Sequence, residues 1–154
     1  MNTWLDKDKM DSILKNLISN ALKYTPEGGS VHIYTAETED YWSVEVKDTG
    51  IGIPSSEQKK LFKIHFRGSN AINSKVTGSG IGLLLVWKLV HLHKGKINFT
   101  STEGKGSCIK VTFRNREVRK LLMLNRECLR MLRQTLLMMQ LNRNNSKTVI
   151  FRKS

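Results

Sequence analysis

Between residues 10 and 24, apolar and polar positions recur with the period of an α-helix. At about 100° per residue, one sector of this predicted helix is apolar and contains Met10, Ile13, Leu14, Leu17, Ile18 and Ala21. A second sector, about a third of a turn away, carries two amides, an ammonium group and a phenol, at Asn16, Asn20, Lys23 and Tyr24. The pattern predicts a helix that packs on one side and presents polar chemistry on the other.

The polar sector has two interpretations. Asn is tolerated on a solvated helix face, but it is a poor helix former, and two copies one turn apart beside the core edge favour a specific role. An amide oxygen is a suitable ligand for Mg²⁺, and a nearby Lys suits phosphate. Asn16, Asn20 and Lys23 are therefore candidates for binding a metal and a phosphate.

The rest of the pattern up to residue 113 predicts two hairpins and two further helices. Residues 30–36 and 42–46 are β-rich runs joined by an acidic turn, and residues 96–102 and 107–113 form a second pair around a Gly-rich turn. Residues 55–63 suit a short helix capped by Ser, and residues 78–83 are predicted to open an apolar helix that runs to about His93. Its core residues are expected to be Leu84, Val86, Trp87, Leu89 and Val90. This order predicts an α/β two-layer sandwich, with helices on one face of a mixed sheet.

Two glycine-containing segments carry the other candidate chemistry. Asp48, Gly50 and Gly52 follow a strand, where a turning backbone lets a ligand approach closely and an aspartate can accept from the amine of a purine. Such a segment is also compatible with an ordinary loop. Residues 69–79 suit a mobile loop that closes over a ligand, and glycines at 78, 80 and 82 open a helix whose N–H groups suit phosphate. His91 and His93 lie about 200° apart on that helix, so we expect structural or surface roles for them.

Charge and cysteines narrow the function classes. Of the 154 residues, 26 are Lys or Arg and 13 are Asp or Glu, a net charge of +13. Residues 1–113 carry only +4 of this excess and residues 114–154 carry +9, so the charge does not indicate a nucleic-acid partner for the body. Cys108 and Cys128 have no metal-site or disulfide spacing, which suits a reducing cytosol. The longest apolar stretch, residues 81–90, is too short to span a bilayer.

Taken together, these segments resemble the catalytic and ATP-binding domain of bacterial sensor histidine kinases. That domain has the Bergerat ATP-binding fold, a superfamily shared with gyrase B, the ninety-kilodalton heat-shock chaperones and the mismatch-repair ATPases. The resemblance rests on NLISNALKYTP, DTGIGIP, LFKIHFRG and GSGIGL in this order, and it covers residues 4–113. It implies one ATP-binding domain over residues 1–113, with a mobile ATP lid.

The resemblance also implies a role for each matching residue. Asn20 is expected to bind Mg²⁺ with Asn16 beside it, Lys23 to reach the phosphates, and Tyr24 to lie at the adenine and ribose. Asp48 is expected to accept from the adenine amino group, with Gly50 and Gly52 shaping the same wall. The matches in the lid and in the phosphate-binding segment are Phe62, Phe66, Arg67, Gly78, Gly80 and Gly82. His65 departs from the pattern, since many relatives carry Phe there.

Asn16 favours the kinase branch of this superfamily. The ATP-hydrolysing relatives carry a Glu one turn before the Mg²⁺ ligand as a general base, and an amide cannot accept that proton. The implied function is to bind ATP and Mg²⁺ and to supply the γ-phosphoryl group to a histidine on a dimerisation and phosphoacceptor domain, upstream of a response regulator receiver. The implied parent is a membrane-anchored, homodimeric sensor whose kinase portion is cytoplasmic. A non-catalytic ATP-binding module and an ATP-hydrolysing enzyme are the alternatives.

Two further expectations concern histidines and the basic tail. The four His residues are followed by Ile, Phe, Leu and Lys, whereas the family's acceptor His precedes an acidic residue, so we expect no autophosphorylation. Residues 114–154 match nothing expected after this domain. Heptad-like apolar positions occur there, at Leu122, Leu129, Leu132, Leu136 and Met139. Four interpretations stay open for this tail: a solvated or poorly ordered extension, a helix that docks on the domain or self-associates, a basic amphipathic membrane contact and a nucleic-acid contact.

Overall fold

The computed structural model describes residues 7–62, 80–114 and 146–152, the last of these by backbone only. Helix α1 spans Lys7–Tyr24 and helix α2 spans Gly82–Leu92. The strands are β1 (Ser30–Glu37), β2 (Tyr41–Asp48), β3 (Lys96–Thr102), β4 (Gly106–Arg114) and β5 (Ser146–Arg152). The predicted two-layer sandwich is confirmed, and both predicted hairpins form.

The sheet has the order β3-β4-β2-β1-β5, and every described pairing is antiparallel. The sequence predicted a mixed sheet instead. Two tight hairpins and the direct pairing of β2 with β4 leave no parallel neighbours among the described strands. Neither described helix has the length and apolar character needed to cross a membrane.

One face of the sheet packs on both helices. The apolar sector of α1 supplies Met10, Ile13, Leu17 and Ala21, all buried, and α2 supplies Val86 and Val90. Opposite them lie alternate strand residues, which is the pattern of a half-buried antiparallel sheet: Val31, Ile33, Val44, Val46, Ile109, Val111 and Phe113. This core fixes the two helices side by side and therefore sets the distance between their polar edges.

Two local predictions were wrong. Residues 55–57 form a turn and Gln58–Lys60 form a single 3-10 turn, without a side-chain cap, where a short capped helix was predicted. Trp87 was expected in the core but is 37% exposed, and it stacks on exposed His91 with ring centroids 4.2 Å apart. Trp87 lies about 100° around the helix axis from buried Val86, which puts it on the flank of α2. Its position in the helical period therefore did not indicate a place in the core.

Strand β5 was not predicted, because none of the four interpretations of the tail included a strand. Its register pairs Val149 with Ile33 and Phe151 with Val31, so it extends the sheet along the outer side of β1. The heptad-like positions between Leu122 and Met139 lie outside the described residues.

Candidate functional site

The middle of α1 meets the first residue of α2 through polar atoms. The Asn16 Nδ2 donates to the carbonyl of Ser12 at 2.8 Å, which directs the Oδ1 away from the helix backbone. A Cβ on Gly82 would lie 2.7 Å from that Oδ1 and 3.5 Å from the Asn20 Nδ2. Gly82 is therefore needed here for close approach, and both amides lie at the start of α2. We call Asn16, Asn20 and Gly82 the helix wall.

A second group forms where β2 ends. The Oδ1 of Asp48 accepts from the backbone N–H of Gly50 at 2.8 Å and from that of Ser107 at 3.2 Å. Among the described residues, both hydrogen bonds to this carboxylate end on the Oδ1. The Oδ2 is therefore the oxygen that remains to accept from a ligand.

The electrostatics of Asp48 follow from this position. Burial raises the pKa of the Asp48 carboxyl above its usual range, while the hydrogen bonds from Gly50 and Ser107 act in the opposite direction. The folded protein thus binds this proton more tightly than the unfolded chain does. The contribution of Asp48 to stability is present at low pH and is lost as the pH rises through its folded-state pKa. A partly buried carboxylate that weakens the fold at neutral pH is typical of a functional group.

The end of α1 is attached to the segment after Asp48. The carbonyl of Tyr24 accepts from the N–H of Ile51 at 3.1 Å, and a Cβ on Gly50 would overlap that same carbonyl. The Lys23 ammonium lies 5.6 Å from the centroid of the Tyr24 ring, within the range of a cation–π contact. Asn20, in the helix wall, and Tyr24, beside the segment after Asp48, are one helical turn apart, about 6 Å along the axis. Helix α1 therefore contributes residues to both groups of the predicted site.

The β3–β4 hairpin closes the other side of this segment. Gly52 has a φ of +62°, and a Cβ there would overlap the carbonyl of Thr102. The N–H of Gly104 donates to the carbonyl of Ile51 at 2.8 Å. A Cβ on Gly106 would overlap the carbonyl of Asp48. We call residues 48–54 together with the hairpin residues 101–107 the loop wall.

Some predicted site residues lie in a segment that the structure does not describe. Phe66, Arg67 and Gly78, the departure at His65 and the predicted mobile loop 69–79 lie outside the described residues. Gly80 is described, with a φ of +71°, two residues before the start of α2. Phe62 packs edge-on against Phe99, with centroids 6.4 Å apart. Within the described ranges no cluster of three His, Cys, Asp or Glu side chains could hold a metal, so a metal at the helix wall would depend on amide and ligand oxygens.

The sequence pattern of the family described as "Histidine kinase-, DNA gyrase B-, and HSP90-like ATPase" matches residues 5–117. The chain belongs to this family. This match confirms the resemblance that was inferred from the sequence. We call the matched part of the chain the ATPase-family domain, of the histidine kinase type.

Curated relatives of this ATPase-family domain are named sensor kinases. The sensor histidine kinase WalK of Bacillus subtilis strain 168 is 43% identical over 115 residues, which are 73% of this chain and 19% of that protein. The adaptive-response sensory kinase SasA of Thermosynechococcus vestitus is 40% identical over 109 residues, 70% of this chain and 28% of that protein. The chain thus spans less than a third of either relative.

Solved structures agree with the fold of the ATPase-family domain. The mycobacterial sensor histidine kinase MprB has a TM-score of 0.63 and 25% identity, covering 71% of this chain and 74% of that one. The catalytic domain of the histidine kinase ThkA has a TM-score of 0.59 and 26% identity, covering 71% and 69%.

Several residues that build the site were missed by the sequence. Ser101, Gln58 and Ser107 make hydrogen bonds that hold the loop wall together, yet each lies in a segment predicted only as strand or short helix. The available signal was the Gly104–Gly106 turn, because glycines there indicate a tight approach of backbone to backbone. Which segment approaches that turn depends on strand order, which the sequence did not supply.

Proposed function

We propose that residues 1–113 bind ATP with Mg²⁺ and supply the γ-phosphoryl group to a histidine on a separate dimerisation and phosphoacceptor domain. The observation that carries this proposal is the Asp48 carboxylate, whose Oδ1 is saturated by two backbone N–H groups and whose Oδ2 remains to accept. A fixed, partly buried acceptor between glycines suits the amino group of adenine. The named sensor kinases among the relatives support the same function.

We assign roles to the remaining residues according to their positions in or near the two walls. Lys23 reaches the phosphates, Tyr24 contacts the adenine or ribose, and Gly50 and Gly52 let the nucleotide approach the backbone. Gly80 and Gly82 present N–H groups to phosphate at the start of α2, where the helix dipole favours negative charge. Phe66, Arg67 and Gly78 are proposed to complete the site from the ATP lid.

The Asn16 amide oxygen of the helix wall fits Mg²⁺, whereas the Asn20 amide has its Nδ2 nearest to Gly82 and would bind the ion through its Oδ1. The Asn16 Oδ1 faces the start of α2, and Asn20 lies one turn further along the same edge of α1. Asn16 and Asn20 would hold the ion together with phosphate oxygens, because Mg²⁺ in nucleotide sites takes few protein ligands. When bound, the ion would neutralise phosphate charge. The chain's own residues would position the phosphates and exclude water, which is the main task of a protein in phosphoryl transfer.

Asn16 separates phosphoryl transfer from hydrolysis. Its Nδ2 donates to Ser12, so the group that faces the site is an amide oxygen, which cannot act as a general base towards water. An ATP-hydrolysing enzyme is the second candidate, and it predicts steady phosphate release without any acceptor domain. A non-catalytic ATP-binding module is the third, and it predicts binding without transfer to any acceptor.

The proposal extends to the parent protein. The partners would be the phosphoacceptor domain and a response regulator receiver, in a membrane-anchored homodimer whose kinase portion lies in the cytoplasm. Because the matched regions are only 19% and 28% of the two curated relatives, the phosphoacceptor domain would reside on a segment of the parent beyond the ATPase-family domain.

The deciding experiment is a calorimetric titration of ATP and Mg²⁺ into the full chain, beside an Asp48→Asn variant. We expect micromolar to sub-millimolar affinity in the native protein and a large loss in the variant. Incubation with radiolabelled ATP should leave no acid-labile label on this chain alone, and label should appear on an added phosphoacceptor domain. Native protein that binds no ATP would contradict the proposal, and steady phosphate release would favour the hydrolytic alternative.

A further inference from the structure

One serine hydroxyl bridges the two segments of the loop wall. The Ser101 Oγ accepts from the N–H of Ile53 at 2.8 Å and donates to the carbonyl of Gly106 at 3.0 Å. It also lies 2.9 Å from the Ser107 Oγ. This hydroxyl therefore joins the segment after Asp48 to the residues that open β4.

A glutamine amide makes a parallel connection. The Gln58 Nε2 donates to the carbonyl of Ile53 at 3.0 Å and to that of Ser101 at 2.9 Å. Gln58 and Ser101 are both half-buried, so these bonds are partly shielded from competing water. Two of these hydrogen bonds cross from the loop side to the hairpin, namely the Ile53 N–H to the Ser101 Oγ and the Gln58 Nε2 to the Ser101 carbonyl.

The orientation of Asp48 depends on the relative position of these two segments. One N–H on the Oδ1 belongs to Gly50, on the loop, and the other belongs to Ser107, on the hairpin. Both bonds reach full strength only while the loop and the hairpin keep their spacing. Neither Gln58 nor Ser101 bonds directly to the Asp48 carboxylate in the described part of the chain, so any influence on it passes through this spacing.

We propose that Ser101 and Gln58 are positioning residues for nucleotide recognition, which fix the loop and the hairpin so that the Asp48 Oδ2 selects the exocyclic amine of adenine. This inference rests on the proposed ATP-binding function. It assigns the selection of the base to three residues on different segments: Asp48, Gln58 and Ser101. Only Asp48 carries the atom that accepts from the amine. Loss of either positioning residue loosens the carboxylate and weakens selection for the amine more than it weakens phosphate binding.

The test compares ATP with purine riboside 5′-triphosphate, which lacks the amine, by titration in the presence of Mg²⁺. Ser101→Ala should weaken ATP binding about fivefold, as expected for the loss of about one net hydrogen bond, and should leave the amine-free nucleotide within about twofold. Ser101→Thr, which retains a hydroxyl, should keep the native preference. Ser56→Ala and Lys59→Ala, at exposed positions in the neighbouring turn, serve as matched controls without effect.

A double-mutant cycle separates positioning from general stability. In an Asp48→Asn background, Ser101→Ala should have no further effect on ATP affinity, because the accepting oxygen is already lost. Equal weakening of both nucleotides, or additive effects in the cycle, would overturn the inference. Should Ser101→Ala fail to fold, Gln58→Ala is measured in the same way and decides the outcome. Native protein that binds no ATP would refute the proposed function, whereas native binding with an unchanged preference in both variants would refute only this inference.

Discussion

In both the loop wall and the helix wall two segments of the chain approach each other closely, but different interactions hold them there. In the loop wall, backbone and side-chain hydrogen bonds from the β3–β4 hairpin fix the Asp48 segment at several points. In the helix wall, α1 and α2 are held by the apolar core beneath them, and the polar contact is the approach of Gly82 to two amides. The comparison teaches that the proposed base-binding side is preorganised by hydrogen bonds between the loop and the hairpin, whereas the proposed phosphate-binding side takes its geometry from helix packing.

The largest effect is expected from a side chain at the centre of the loop wall. Gly106→Ala forces an L residue into a φ of +110° and overlaps the Asp48 carbonyl, so it should lower the free energy of unfolding by about 2–4 kcal/mol and abolish ATP binding. Urea unfolding measures the first effect and calorimetry the second. Gly104→Ala is the matched control, with a φ of +73° and open space around the Cβ, and should cost about 1 kcal/mol. Equal losses in both variants would show that the contact with Asp48 is unimportant.

Asp48→Asn should separate function from stability. The new amide oxygen can still accept from Gly50 and Ser107, and it removes a charge that burial disfavours, so the melting temperature should equal or exceed that of the native protein. ATP affinity should fall about tenfold to a hundredfold, because a donor replaces the acceptor for the adenine amine. A variant that is destabilised and binds ATP normally would contradict both the raised pKa and the assigned role.

The helix wall is tested by Gly82→Ala. The added methyl would displace the Asn16 amide, and we expect about a tenfold loss of affinity for ATP with Mg²⁺ and a smaller loss in EDTA. Stability should hardly change, because Ala is the better helix former and the obstructing atom ends a flexible side chain. Lys88→Ala, exposed on the same helix, is the control. An equal loss with and without Mg²⁺ would show that the site at Asn16 and Asn20 does not bind the ion.

The loop wall should respond to pH in a way that the helix wall does not. ATP affinity should fall as the pH drops through the raised pKa of Asp48, approaching about tenfold per pH unit below it, because only the carboxylate accepts from the amine. Protonation of ATP itself is subtracted with the Asp48→Asn variant. If the native protein and the variant gave parallel profiles, the carboxylate would not be the titrating group.

The smallest effect is expected in the alkylation rate of the thiol of Cys108, which follows Ser107 on β4. Burial, followed by the charge of Glu45, raises the pKa of the Cys108 thiol to about 11. Alkylation at pH 8 should therefore be at least about tenfold slower than that of an exposed thiol. A Cys128→Ser background makes Cys108 the reporter, and Ser101→Ala should accelerate its labelling if the hairpin opens.

The sequence predicted those features that depend on neighbours along the chain. The apolar sector of α1 and both hairpins follow from local period and turn residues, and they were found as predicted. The apolar helix predicted to open within residues 78–83 begins at Gly82. The carboxylate at the end of β2 was also identified, since Asp48 precedes a Gly-rich turn. Sheet order was the limit, because the pairing of β2 with β4 brings Ser107 to Asp48 across 59 positions of the chain. No period in the sequence encodes that contact.

Trp87 shows a limit of a different kind. An apolar helix with a Trp suggests core, but α2 packs on the sheet and on α1 with only part of its circumference, so Leu85 and Trp87 remain exposed on opposite flanks of the buried face. The count of apolar residues in a helix overstates the face that its neighbours can cover.

The position of β5 bears on how this protein behaves in concentrated solution. A strand at the rim of a sheet offers unpaired N–H and C=O groups to any other extended chain, which favours aggregation. By pairing along β1 from Ser30 to Ala36, β5 leaves β3 and itself as the rims of the described sheet. Without residues 146–152, the backbone of β1 would lie open next to the apolar core, and such a truncated chain would be more prone to self-association through edge-to-edge strand pairing.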